Sequence, residues 1–264
     1  MLILLRERAL IKVSGPDSEV FLQSQFTNDI RSIKENHAQI NAYCQHQGKI
    51  IAILWIFKRS DNFYLSLPGD LKEIVLSKLN MYKLMSKVVI EDYSEKINQY
   101  GLLAESRDNS CKITDNLALL TSREILPHSK NISKWEFACI KDKLPDINFI
   151  TSETLIPQAI NLDVNFLGVS FTKGCYPGQE VVARMHYLGN SKRRLFSFKT
   201  KFKVLIGDSL NVDNSISLKS SGQVIRVARK DNWSYFLATF EVSQIKNKVF
   251  LSGDKVKLVE LINE

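Results

Sequence analysis

The stretch Lys173-Gly174-Cys175-Tyr176-Pro177-Gly178-Gln179-Glu180 sets a cysteine between two glycines. The apolar run before it, Phe166 to Phe171, reads as a strand, and Glu180 to Tyr187 reads as a helix. Gly174 and Gly178 permit positive φ or close backbone approach on either side of the thiol. The N-terminus of the following helix offers free N–H groups and partial positive charge. Lys173 adds a full charge, so the pattern predicts a turn that favours the thiolate. A lone cysteine is otherwise read as buried and inert; the flanks here argue for the reactive reading.

These residues resemble the K-G-C-Y-x-G-Q-E signature of the YgfZ-type folate-binding proteins, relatives of the glycine-cleavage T-protein. The resemblance implies an α+β, GcvT-like folate-binding fold with a small C-terminal β-barrel. It also implies tetrahydrofolate or a derivative as cofactor, and a role in assembly or repair of iron–sulfur proteins, including radical enzymes that modify tRNA. The expected partners are folate and iron–sulfur client proteins or assembly factors. Cys175 would be the reactive thiol, as a transient ligand to iron or as a partner in a mixed disulfide. Lys173 would tune it, Tyr176 and Arg184 would shape its surroundings, and Gln179 and Glu180 would brace the turn through hydrogen bonds; the resemblance also sets Tyr176, Gln179 and Glu180 beside the bound folate.

Further stretches carry the likeness outward. Ile156-Pro157-Gln158, followed by Asn161-Leu162-Asp163, resembles a family loop segment. Gly15 to Ile30, ending Phe21-Leu22-Gln23-Ser24-Gln25-Phe26-Thr27-Asn28-Asp29-Ile30, resembles the family opening. Trp135 reads on its own as a helical core or rim residue. Its place in W-x-x-x-x-I…L-P matches a tryptophan that contacts folate, where a flat indole can pack on a pterin or aminobenzoyl ring. A second family tryptophan falls where this chain has Arg8, whose guanidinium could stack or meet a glutamate tail. The family's C-D-x-K-G-K-like turn stands here as Cys44-Gln45-His46-Gln47-Gly48-Lys49, with glutamine for both the acid and the base. The aspartate pair of the T-protein aminomethyltransferases is matched by Ala52 and Ile53. An apolar pair moves no protons, so no classical aminomethyl transfer is expected.

Periodicity gives the rest. Strands are predicted at Ala9–Val13, Gln39–Cys44, Lys49–Phe57, Phe63–Leu67, Lys87–Tyr93, Tyr100–Ala104 and Leu117–Thr121. Helices are predicted after Ser14-Gly15-Pro16, from Pro68-Gly69-Asp70 to Tyr82, and over Ile132–Lys141. Leu71, Ile74, Val75, Leu79 and Tyr82 form an expected core stripe, and Ser106 to Asn116 an expected polar turn region. Later short strands, at Leu195–Lys199, Ser209–Val212, Ser215–Lys219, Gln223–Ala228, Tyr235–Phe240 and Lys255–Leu261, suggest a small barrel. The division expected is 1–190, a folate-binding region of two interleaved α+β subdomains, and 191–264, the barrel.

Composition sets outer bounds. The 264 residues are 44% hydrophobic and 24% charged, ordinary for a globular protein. No apolar run approaches the roughly 18 residues of a spanning helix, and Arg6, Glu7 and Arg8 interrupt a signal peptide. A cytoplasmic protein without membrane contact is expected. Four cysteines without a C-x-x-C pair argue against a disulfide framework or a resident metal site. The net charge of +8 serves solubility or an anionic partner. Lys192, Arg193 and Arg194 cluster after the signature, but no RNA-binding motif accompanies them, so direct tRNA binding is weakly supported. The rival readings are a folate-dependent one-carbon transferase and a basic tRNA-binding module.

Overall fold

The apolar run Ile50 to Phe57 is buried at every position, as a strand covered on both faces must be. The computed structural model describes residues 1–164, 167–212, 220–252 and 254–262. Its elements begin β1 (Leu2–Leu4), β2 (Arg8–Ser14), α1 (Ser18–Gln23), β3 (Gln39–Cys44), β4 (Ile50–Arg59), β5 (Asn62–Pro68), α2 (Lys72–Tyr82) and β6 (Val89–Asp92). There follow β7 (Asn98–Leu103), β8 (Ser110–Lys112), β9 (Leu117–Ser122), α3 (Ile132–Lys141) and α4 (Gln179–Leu188). The last group is β10 (Arg193–Thr200), β11 (Ser209–Val212), β12 (Gly222–Lys230), β13 (Trp233–Glu241), β14 (Val249–Leu251) and β15 (Leu258–Leu261).

A five-stranded sheet in the order β3-β4-β5-β2-β6 carries the main core, and a four-stranded sheet, β1-β7-β9-β8, lies beside it. Antiparallel register sets Ser66 of β5 opposite both Leu10 and Trp55. The last six strands close into a barrel, β10-β13-β12-β11-β14-β15. Its own core holds Phe198, Phe236 and Phe240. Closure leaves no edge strand to pair with another chain. Helix α3 packs on β12 and β13, and the 157–160 turn packs on β10, so the barrel is seated on the main body at both places. The α+β class and the barrel are as expected.

Several local expectations are corrected. The 167–171 part of the supposed strand before Cys175 is irregular. Its backbone is engaged elsewhere: Gly168 N–H donates to Leu162 O at 2.9 Å and Ser170 N–H to Thr27 O at 2.9 Å. Helix α1 is short, starting at Ser18 after its cap Asp17. Tyr82 is exposed rather than core. The polar region 106–116 contains β8, and β14 was not anticipated. The expected strand Ser215–Lys219 lies outside the described residues. Among the described residues no helix is long and apolar enough to cross a membrane.

Candidate functional site

The structure divides the expected site residues between two places. The first is the Cys175 loop. Gly178 caps α4 at φ +83°, and a Cβ there would sit 2.5 Å from Gln45 O and 2.7 Å from Gly48 Cα. Gly48 has φ +75° and is itself pressed against Val181. The signature turn and the β3–β4 turn therefore interlock through two glycines that no other residue replaces without strain. Gly174 faces open space.

Cys175 is exposed, whereas Cys44, Cys111 and Cys139 are buried. Burial pushes the Cys44 thiol up to about 12 and raises those of Cys111 and Cys139 as well. Burial keeps those three thiols from solvent and protonated, so Cys175 is the accessible one.

Lys173 is engaged with the backbone of the opening segment. Its ammonium is buried and donates to the carbonyls of Gln23 (2.5 Å), Phe26 and Asn28 (3.2 Å) at the end of α1. It also lies 5.0 Å from the centre of the Tyr176 ring. Burial pushes its pKa down to about 8, with Asp29 opposing. Tyr176 is buried, and its hydroxyl pKa is raised by burial and then by Cys44. The bracing expected of Gln179 and Glu180 is absent, because their side chains make no hydrogen bond with described residues; the Gln179 backbone N–H donates to Tyr176 O at 3.1 Å. Arg184 is exposed on α4, without a partner among described residues.

The opening stretch around Gln23–Ile30 meets this loop. Thr27 Oγ1 donates to Gly168 O at 2.5 Å and accepts Ala42 N–H at 2.9 Å. Gln23 Nε2 donates to Asp29 Oδ1 at 3.0 Å, and its Oε1 accepts Ile30 N–H at 2.8 Å. Asn28 Nδ2 donates to Ile40 O at 3.0 Å. Most of this segment's polar groups are thus occupied in building the seat of the signature loop.

The second place is a cavity of about 280 Å³ between β2, α3 and β12. Trp135 forms one wall and is 1% exposed. The absence of a Cβ at Gly101 admits its ring, since one there would lie 2.3 Å from Cε3. Trp55 meets it edge-on at 6.1 Å. Arg8 stacks on Trp55, 3.5 Å from the ring centre. It cannot reach for a ligand's glutamate tail, because its Nη1 donates to Asp146 Oδ2 at 2.7 Å and its Nε to Ser66 Oγ at 2.9 Å. The same Asp146 oxygen takes Arg226 Nη2 at 3.2 Å, and Arg226 Nε meets Glu136 Oε2 at 3.0 Å. Burial raises the pKa of Glu136, with Arg226 opposing.

Two arginines and two carboxylates therefore form a neutral buried network on the cavity wall. Sequence reading missed Glu136, Asp146 and Arg226. Arg226 carried a signal, as a charge in the middle of the apolar run Val224-Ile225-Arg226-Val227. Tyr176, Gln179 and Glu180, expected beside the cofactor, do not line this cavity. Among the described residues no three His, Cys, Asp or Glu side chains gather where they could hold a metal.

The two sheets with a closed barrel define the fold of a glycine-cleavage aminomethyltransferase. The crystal structure of glycine cleavage system aminomethyltransferase T from Bartonella henselae matches 100% of this chain and 84% of that one, with a TM-score of 0.74. Sequence identity is 12%, so that likeness is one of fold. Within this fold, the chain belongs to the YgfZ family. It is 29% identical over 242 residues to the tRNA-modifying protein YgfZ of Vibrio atlanticus, covering 80% of this chain and 72% of that one. The Klebsiella pneumoniae tRNA-modifying protein YgfZ is 28% identical over 274 residues, 88% and 82% of the two chains. An uncharacterized protein of Haemophilus influenzae is 32% identical over 242 residues, 87% and 85%. No family model matches the chain.

Proposed function

We propose that this chain is a tetrahydrofolate-binding accessory protein that supports iron–sulfur proteins, and through them tRNA modification, with Cys175 as its reactive group. The cavity beside Trp135 carries the reading. Its wall is apolar at Leu5, Pro68, Ile132, Ile147 and Ile225, and polar at Glu136, Asp146 and the two arginines. A pterin ring is flat and edged with N–H donors, which suits a wall of aromatic and aliphatic groups with carboxylate acceptors. The volume of about 280 Å³ falls just under the range of roughly 300–1,000 Å³ common for ligand pockets. It suits the ring end of the cofactor and leaves the glutamate tail outside. Trp135 and Glu136 would hold that ring, and Arg226 would fix the carboxylate. The bound folate would supply one-carbon carrying capacity; this chain's residues bind and orient it.

The likeness to tRNA-modifying YgfZ proteins supports the tRNA end of the reading. Direct tRNA binding is less favoured. Arg194 pairs with Asp163 at 2.6 Å and Arg193 with Glu241 at 3.8 Å, so two of the three clustered cations are already neutralised. One-carbon transfer is disfavoured because Ala52 and Ile53 supply no carboxylate at those positions. The same reading divides the chain into 1–190 and 191–264, which limited proteolysis tests.

The deciding experiment is calorimetry with tetrahydrofolate on wild type, Glu136→Gln and Cys175→Ala. Binding by wild type and Cys175→Ala, weakened in Glu136→Gln, is expected. No binding of any folate form by wild type refutes the reading. Trp135→Ala is a poor probe, because loss of that buried ring costs about 3–5 kcal/mol of stability by itself.

A further inference from the structure

We infer that Lys173 is a positioning residue: its ammonium fills a three-carbonyl seat at the end of α1 and so fixes the loop that presents Cys175. The first ground is geometry. The carbonyls of Gln23, Phe26 and Asn28 converge on one Nζ, and an ammonium has three donors to give. The second is burial. Lys173 is 9% exposed, and a lysine this buried is kept charged only by a full set of partners. The third is the seam around it. Ser170 N–H to Thr27 O and Thr27 Oγ1 to Gly168 O join the same two segments just upstream.

Beyond Lys173 the loop is open at positions 174 and 175 and returns to the body at buried Tyr176. A Cβ added at Gly174 would meet nothing within 4 Å, and Cys175 is exposed. The thiol therefore stands between two fixed points, the Lys173 seat and the buried Tyr176 ring that leads into the Gly178 interlock. A lysine one residue removed from a glycine is the right device, since its long stem reaches into the body while the backbone stays at the surface. This gives Lys173 a task other than lowering the thiol pKa. It rests on the proposed function only in taking Cys175 as the working group.

The test uses Lys173→Ala and Lys173→Met in the full chain. The readouts are amide exchange over 167–176, the pH profile of Cys175 alkylation, and rescue by n-propylammonium, which replaces the atoms that alanine lacks. Losing three hydrogen bonds from a charged donor frees the loop, so exchange there rises about tenfold or more in both variants. Added n-propylammonium restores protection in Lys173→Ala, while tetramethylammonium, which has no N–H, does not. The alkylation profile keeps its midpoint.

Unchanged exchange in both variants overturns the inference. So does an upward shift of the alkylation midpoint with exchange unchanged, which is the signature of thiol tuning. Global unfolding of both variants also overturns it, because Lys173 is then a general folding element. Tetrahydrofolate binding by the same variants reports separately on the proposed function.

Discussion

Asp146→Ala tests whether the cavity wall is an electrostatic unit. One oxygen, Asp146 Oδ2, accepts from Arg8 at 2.7 Å and from Arg226 at 3.2 Å. The side chains of Arg8, Asp146 and Arg226 are 7%, 13% and 5% exposed, so solvent screens little of this. Removing Asp146 takes the network from neutral to one net positive charge. Arg8 then keeps its hydrogen bonds to Ser66 and its stacking on Trp55, and Arg226 keeps Glu136 and Leu144 O. Deleting one partner of a buried pair typically costs 3–5 kcal/mol. Glu136 remains in place and the cavity admits water, so about 3 kcal/mol is expected. The assay is equilibrium urea unfolding followed by circular dichroism, with slope and midpoint fitted together. Asp146→Ala with Arg8→Met restores neutrality and is expected to recover about half of the loss. A loss below about 1 kcal/mol, or a double variant no more stable than Asp146→Ala, refutes the account of a coupled buried network.

The other predictions concern single groups. Gly178→Ala places a Cβ against Gln45 O at φ +83°; it should lose about 1–3 kcal/mol, read as a lower thermal midpoint, and an unchanged midpoint would contradict the interlock. Native alkylation followed by mass spectrometry should give one fast adduct, on Cys175, with Cys44, Cys111 and Cys139 reacting only after unfolding. Cys175→Ala should stay within about 0.5 kcal/mol of wild type in stability, as an exposed substitution does. Glu136 binds its proton more tightly folded than unfolded, because burial raises its pKa. This group therefore lowers stability as pH climbs from the unfolded value of about 4.3 to the raised folded one. Glu136→Gln should flatten that slope, and parallel pH–stability curves for the two proteins would show the cause is elsewhere.

Much of the fold was written in local pattern. Helix α3 runs Ile132–Lys141 and β11 runs Ser209–Val212, both as the periodicity predicts. These are elements whose own residues decide them. The run at 167–171 is apolar enough for a strand, yet its amides bond to Leu162 and Thr27, and no local pattern reports such a partner. Cys175 was legible because glycines mark its turn. The purpose of Lys173 was not, since its acceptors are backbone carbonyls about 150 positions away, which any sequence could supply. The cavity network was hidden for a related reason. Asp146 and Arg226 are 80 positions apart, and only folding reveals that Arg8 and Arg226 share one carboxylate oxygen. Trp135 was visible as a residue, but the space it needs is made by Gly101, which nothing in the helix pattern points to.

The interlock of Gly48 and Gly178 has an evolutionary consequence. Each occupies a left-handed backbone position against the other turn. A side chain gained at Gly178 meets backbone atoms that cannot rotate away, whatever stands at position 48. Substitution at one site is therefore not made neutral by prior substitution at the other, as it would be for two packed side chains that trade volume. The pair behaves as a ratchet: side chains at Gln45, His46 or Gln47 can change around it, while Gly178 is held by the backbone of the 45–48 turn and Gly48 by its own positive φ and the Val181 side chain.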